Sequence, residues 1–324
     1  MTSIDYSFFH RQKILPGELA SLRFDVFISS FNSSDRVQRV FSNVNSQLKI
    51  WLRHPEYGYD DREIDQSHEW FVGDKGESEA DFWLRFLADP RWRTATSSGN
   101  ERVAFDITGM MRNHIILLPR LLAAVGVKHA TFLYSDPKAY SGGTKTPFAI
   151  GVEKVAQVPG FEGVHNTSTN TRDALIIGAG YDDFLIRSVA EYKRSADHYI
   201  LLGLPSLQPH MYQESQVRVH AAQESIHNFR SRSFLFAPAS DPFMTAQIIS
   251  DQVSSLRQND PELNVYLSPV GAKAQVLGFA WFYLCECSGD ATSIIFPYSS
   301  GYEKETSTGI SRVHLFEMEF DWVR

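Results

Sequence analysis

Apolar positions along the chain fall into two alternating patterns. Short runs rich in β-branched and aromatic residues, at Phe24–Ser30, Leu48–Leu52, Arg102–Ile107 and Thr131–Tyr134, read as strands. The stretches between them carry apolar residues at helical spacing. Val37, Val40, Phe41 and Val44 predict a helix after the capping cluster Phe31–Asp35, and Ile115, Ile116, Leu118, Leu121, Leu122 and Val125 predict another ending at Gly126. A polar acidic stretch, Glu56–Glu69, and a helix near Glu79–Ala88 separate the second strand from the third. This alternation predicts parallel βαβ units.

The same order returns after residues 135–170, which hold Ser-Gly-Gly-Thr, prolines and Asn-Thr-Ser-Thr-Asn-Thr and read as a connection. Strands are predicted at Ala174–Ile177, Tyr199–Leu202, Phe234–Phe236, Asn264–Leu267 and Thr292–Phe296, with helices through Leu185 and Val189, Ile248 to Leu256, and Val276 to Tyr283. A last strand is expected from Arg312 to Phe320. The halves also match in detail. Phe105–Arg112 opens an apolar helix as Tyr266–Lys273 does, Tyr134–Tyr140 follows the first and Pro297–Tyr302 the second, and Leu48–Tyr57 parallels Tyr199–Pro209. The expected fold is α/β, two Rossmann-like parallel-sheet halves related by internal duplication. Residues 1–20 form an N-terminal extension, 21–140 the first half, 141–171 the connection, and 172–324 the second half with the C-terminal strand.

Composition narrows the function classes. With 324 residues, 43% hydrophobic and 21% charged, the chain is long and apolar enough to fold around a substantial core. A net charge of −7 argues against a whole-surface grip on nucleic acid but leaves room for a local basic pocket. Cys285 and Cys287 are too close for an easy disulfide and have no second pair at zinc spacing. No signal-peptide core and no run of about 18 uncharged apolar residues occurs, so a cytoplasmic protein without membrane contact is expected.

Ligands of open parallel sheets settle at the carboxyl ends of the strands, beside helix N-termini. The candidate residues cluster there. Asp106, Thr108 and Gly109 in the first half, and Ser268 and Gly271 in the second, form turns into helices, with Arg112 and Lys273 at similar offsets. The two cations suit an anionic ligand bound between the halves; the alternative is that the glycines only make tight turns and the cations are solvated. Ser29, Ser30 and Asn32 after the first strand, and Gly178 and Gly180 at the corresponding place, offer small groups to a base or ribose, while plain N-capping also explains Ser33, Ser34 and Asp35. Gly178-Ala-Gly180 lacks the third glycine of a dinucleotide fingerprint. Tyr57, Tyr59, Tyr134, Tyr140, Tyr181, Tyr298 and Tyr302 fall in expected loops, where they stack on bases or line an interface.

Other chemistry is not indicated. His210, His220 and His227 fall in one expected helical region without a carboxylate pair at metal-ligand spacing, and the Glu56–Glu69 acids do not follow calcium-loop order, so no metal and no cofactor are expected. No nucleophile elbow, phosphate loop or His-Glu-x-x-His occurs.

Asp106-Ile-Thr-Gly109, following a strand and opening a helix, resembles the signature turn of CARF domains, and Ser268–Lys273 resembles a looser second copy. Two such halves in one chain are similar to the SAVED sensor architecture of bacterial anti-phage systems. The resemblance implies that the turns, with Tyr134 and Tyr298 nearby, bind a cyclic oligonucleotide second messenger. An effector domain is usually fused in that family; since neither end here has room for one, the resemblance implies that the effector is a separate protein or that the activity resides in the Rossmann-like halves themselves, and the expected partner is an effector protein or another copy of the chain. Phe24–Ser29 in turn resembles the first strand of TIR domains, which cleave NAD. The expected function is therefore nucleotide sensing, with an enzyme acting on nucleotides or NAD, by N-glycosidic or phosphodiester cleavage, as one alternative and a structural subunit as another.

Overall fold

A computed structural model describes residues 4–65, 67–140, 149–168, 171–227, 233–287, 289–304 and 307–323. The first part of the chain forms β1 (Arg11–Ile14), β2 (Arg23–Ser30), α1 (Asp35–Asn43), β3 (Asn45–Arg53), β4 (Glu69–Val72), α2 (Glu79–Leu87), α3 (Pro90–Ala95), β5 (Val103–Asp106), α4 (Arg112–Ala124) and β6 (His129–Tyr140). The second forms β7 (Ala149–Ile150), β8 (Lys154–Gln157), β9 (Asp173–Gly178), α5 (Asp183–Tyr192), β10 (Asp197–Gly203), α6 (Met211–Ala221), β11 (Phe234–Ala237), α7 (Pro242–Asn259), β12 (Asn264–Pro269), α8 (Lys273–Glu286), β13 (Thr292–Tyr298), β14 (Gly301–Tyr302) and β15 (Ser307–Glu319).

Two main sheets result, ordered β1-β15-β6-β5-β2-β3-β4 and β11-β10-β9-β12-β13-β8. Numbered within its own half, each parallel set runs 3-2-1-4-5, so the two Rossmann-like halves repeat one topology. In each half the strand order reverses between the first and fourth strands, and the turns into α4 and α8 leave from that point.

Three expectations about chain division need correction. The C-terminal strand does not belong to the second half: β15 pairs antiparallel with β6 over nearly its whole length and completes the first sheet. Residues 1–20 are more than an extension, because β1 adds to the outer edge of β15. The expected connection, 141–171, contains β8, which caps the second sheet against β13, and Val158 and Phe161, which are fully buried; residues 141–148, 169 and 170 lie outside the described residues. Edge strands of this kind are short and polar, which hides them from an apolar-periodicity reading.

The core explains why the halves do not separate. Helix α8 is apolar all round, and Ala274–Cys285 are buried throughout, so it lies inside the molecule, packed on α4 of the first half and α7 of its own. Buried residues of both sheets join one continuous cluster around these helices. A second cluster fills the opposite face of the first sheet under α1, where Phe41 stacks on Trp51 at 3.6 Å between centroids. Cys285 and Cys287 are not joined in a disulfide and are buried at the end of α8. The N-terminal segment straps the halves together. β1 joins the first sheet while the Tyr6 hydroxyl donates to Glu286 at 2.7 Å, Phe9 stacks on Phe243, and Arg11 pairs with Asp241 at 2.9 Å. Among the described residues no helix is long and apolar enough to cross a membrane.

Candidate functional site

The turns at the two reversal points open into one cleft, enclosing about 750 Å³ including its solvent-open part. Asn32, Arg36, Thr108, Arg112 and Tyr134 line it from the first half, Tyr181, Gly271 and Lys273 from the second, and Tyr57 and Tyr302 close its sides.

The floor is a hydrogen-bonded polar layer. Asp106, the last residue of β5, is fully buried; its Oδ2 accepts from the Ser29 hydroxyl at 3.0 Å and its Oδ1 from the Thr108 N–H at 2.9 Å. Burial raises the Asp106 pKa, although these hydrogen bonds and the nearby Lys273 oppose the shift. The Thr108 hydroxyl accepts from the Ser135 N–H and bonds the Ser135 hydroxyl, both at 3.0 Å, and the Arg36 guanidinium donates to the Ser135 carbonyl at 2.7 Å.

Above that layer stand three cations. Arg36 is the second residue of α1, while Arg112 and Lys273 are the first residues of α4 and α8. Arg36 and Arg112 are buried, and Lys273 is partly buried. The Arg112 Nε–H donates to the Gly271 carbonyl at 2.8 Å, and the Lys273 ammonium donates to the Thr108 carbonyl. Burial pushes the Lys273 amine well below its ordinary pKa, Arg36 and Arg112 push it the same way, and Asp106 opposes them. A helix N-terminus carries the positive end of the macrodipole and favours anions, so a cation in each of three first turns is electrostatically misplaced in the free protein. The cleft therefore gathers three basic side chains on one lining. Glu303, a carboxylate on that lining, is exposed.

The expected site residues divide into three groups. Asn32, Thr108, Arg112, Tyr134, Gly271 and Lys273 line the cleft. Ser29, Ser30, Asp106, Gly109, Ser268, Gly178 and Gly180 are not on its lining: Ser29 and Asp106 belong to the polar layer, the Ser30 hydroxyl bonds the His54 ring at 2.9 Å, and Ser268 is fully buried. A Cβ on Gly109 would sit 2.1 Å from the Ser30 carbonyl oxygen, one on Gly180 2.5 Å from that of Val270, and one on Gly178 2.8 Å from the Phe279 ring, so the space beside these glycines is taken by protein. Tyr298 stands apart: its hydroxyl donates to Glu79 at 2.6 Å and its ring faces Lys154, outside the cleft. The match of Tyr134 with Tyr298 slips in register. Strand pairing sets Leu133 beside Asp106 and Ile294 beside Leu267, so the position equivalent to Tyr134 is Ile295.

The chain matches no protein-family model and no curated protein.

Several other expectations are settled locally. Tyr134 is a strand residue, and the tyrosines that reach the cleft are Tyr57, Tyr134, Tyr181 and Tyr302. The Tyr57 hydroxyl donates to the Gly109 carbonyl at 2.9 Å, and burial raises both Tyr57 and Tyr302, the latter to about 12. Tyr59 instead accepts from the Ser33 N–H at 2.9 Å, and the side chain of Tyr140 lies outside the described residues. Ser34 occupies the N-cap of α1 without a side-chain bond. His210, His220 and His227 do not share one helix: α6 ends at Ala221, and the His227 N–H donates to the His198 ring at 3.0 Å. The acidic stretch is engaged by cations, with Glu63 on Lys304 at 2.9 Å and Glu69 on Arg91 at 2.7 Å. Among the described residues no cluster of three or more His, Cys, Asp or Glu is arranged to hold a metal.

Arg36 was not among the candidates. Its position in the first turn after the first strand is the same kind of place as those of Arg112 and Lys273, and that shared setting is the signal that identifies it.

Proposed function

We propose that the protein is a nucleotide sensor that binds an anionic nucleotide in the cleft between its halves and passes the signal to a separate effector protein, with a cyclic oligonucleotide second messenger of anti-phage defence as the ligand class. The observation that carries this reading is the convergence of Arg36, Arg112 and Lys273 on one cleft from three helix N-termini. Phosphate is the chemical complement of such a place, since it accepts several charge-assisted hydrogen bonds at once. Tyr57, Tyr134, Tyr181 and Tyr302 around the cations supply ring faces for bases. The resemblance of Asp106–Gly109 and Ser268–Lys273 to paired CARF turns points to the same ligand.

Isothermal titration against cyclic di-, tri- and tetranucleotides tests this. Heat that saturates with one of them, and that diminishes in Arg112→Ala, supports sensing. Silence across the panel removes it. Product formation from NAD or a nucleotide at catalytic protein concentration replaces it with the enzyme reading.

A further inference from the structure

The three cleft cations are not alike. Arg36 and Arg112 carry fixed charge, since guanidinium does not deprotonate in proteins, whereas Lys273 carries a charge that its surroundings oppose. Its amine stands at the first position of α8, beside the positive end of that helix, with both guanidinium groups on the same cleft lining. Asp106, in the layer behind the cleft, is engaged by Ser29 and Thr108, and the lining carboxylate Glu303 is exposed. Burial and both arginines favour the uncharged amine. A neutral amine makes the bond to the Thr108 carbonyl with one N–H and keeps its lone pair for another use.

We propose that Lys273 is a nucleophilic amine and that the cleft captures a phosphate-bearing aldehyde as an imine on its Nζ, with Arg36 and Arg112 holding the phosphate. A lysine desolvated beside other cations is the usual way an amine becomes reactive near neutral pH. The lone pair of Nζ attacks the carbonyl carbon and a C–N bond forms. The former carbonyl oxygen leaves as water, taking both amine hydrogens, and a C=N bond replaces the C=O bond. No electrons are exchanged and no co-reactant is needed. The inference rests on the cleft being an anion site, and it adds a covalent chemistry that simple anion binding does not require.

The probe is pyridoxal 5′-phosphate, with pyridoxine 5′-phosphate, which has an alcohol in place of the aldehyde, as the unreactive partner. The full-length protein is mixed with the aldehyde at neutral pH, trapped with borohydride, and its lysines are mapped by peptide mass. Lys273 should take up the adduct at least about tenfold faster than any other lysine, with a pH midpoint below the 10.4 or so of free lysine. Pyridoxine 5′-phosphate should protect it, and Lys273→Arg, which has no amine to condense, should abolish the adduct. Labelling spread over surface lysines with Lys273 no faster overturns the proposal. Binding of pyridoxine 5′-phosphate that depends on Arg112, with no adduct on Lys273, overturns imine capture and leaves the anion reading standing. An adduct confined to Lys273 in a protein silent to every cyclic nucleotide supports imine capture and removes the second-messenger reading.

Discussion

Arg112 and Lys273 reach across to each other's half. The Arg112 guanidinium donates to the Gly271 carbonyl at 2.8 Å, two residues before Lys273, and Lys273 donates to the Thr108 carbonyl, four residues before Arg112. The exchange ties the two ligand-facing turns directly together, so a ligand that draws either cation away loosens a contact between the halves. That is a physical route from occupancy of the cleft to a change in shape.

The two residues should respond oppositely to truncation. Arg112→Ala removes a charge-assisted hydrogen bond of about 1.5–3 kcal/mol, so affinity for an anionic ligand should fall by about one to two decades and the melting temperature should drop. Lys273→Met should weaken the anion as well but raise the melting temperature. The folded state holds this amine below its ordinary pKa, so the unfolded chain binds the proton more tightly, and stability is lost as pH falls from about 10.4. The advantage of the methionine should therefore grow on going from about pH 10 to about pH 8, and melting curves at those two pH values decide it.

Acid should destabilise the protein through a buried histidine pair. His54 and His114 lie with ring centroids 4.4 Å apart, both buried, with the His54 Nε2 against the Ser30 hydroxyl at 2.9 Å and both Nδ1 atoms without a hydrogen-bond partner. Burial lowers both, His114 to about 3, and the charges of His114 and Lys273 push His54 the same way. Below about pH 6.5 the unfolded chain takes up protons that the folded one refuses, so stability should fall steadily from there, by an amount on the order of a few kcal/mol. Denaturant titrations at about pH 7 and about pH 5 measure the slope, and His114→Met should flatten it. A parent protein equally stable at both would contradict this account.

Glycine substitutions should separate packing from surface. Gly109→Ala places a methyl 2.1 Å from the Ser30 carbonyl oxygen, a backbone atom that cannot step aside, and should cost about 3 kcal/mol or more. Gly17→Ala meets nothing within 4 Å and should stay within about 0.5 kcal/mol. Chemical denaturation of the two variants compares them directly; equal midpoints would mean that the turn relaxes around the added methyl.

The N-terminal strap should be measurable through a single oxygen. Tyr6→Phe deletes the hydroxyl that donates to Glu286 at 2.7 Å and leaves a partly buried carboxylate with Ser250 as its remaining side-chain donor. A loss of about 1.5–3 kcal/mol is expected for a hydrogen bond to a charged group. Hydrogen exchange should quicken in β1 and at the end of α8 before it does elsewhere.

Most of the parallel strands and the helices that follow them were legible because each buries an apolar face that shows as a period. Phe24–Ser30, Leu48–Leu52 and Ala174–Ile177 became β2, β3 and β9 with small changes at their ends. Strands β1, β4 and β8 were not legible. Arg11–Lys13 are exposed, Glu69 and Val72 flank the single buried Phe71, and β8 has no fully buried residue, so alternation is too short to register. The partner of β15 was hidden for a different reason: a period tells which face is buried and nothing about which neighbour covers it. At the cleft, Arg112 and Lys273 were legible from the repeated turn. Arg36 was obscured by the capping residues around it, and Tyr298 was drawn in by sequence spacing that strand register does not keep.

The return of β15 to the first sheet has a consequence for how the molecule is made. Residues 307–319 zip onto β6, and β1 onto them, so a sheet begun at Arg23 is finished by residues synthesised after the entire second half. On a ribosome the first half would wait with an open edge, and contacts this distant along the chain slow folding because a long loop must close before they form. The two halves are thus interlaced rather than strung in series. Cutting between them would yield one fragment that lacks β15 and so leaves β1 without its partner, and another carrying a strand with nothing to pair, and each would regain order only in the presence of the other.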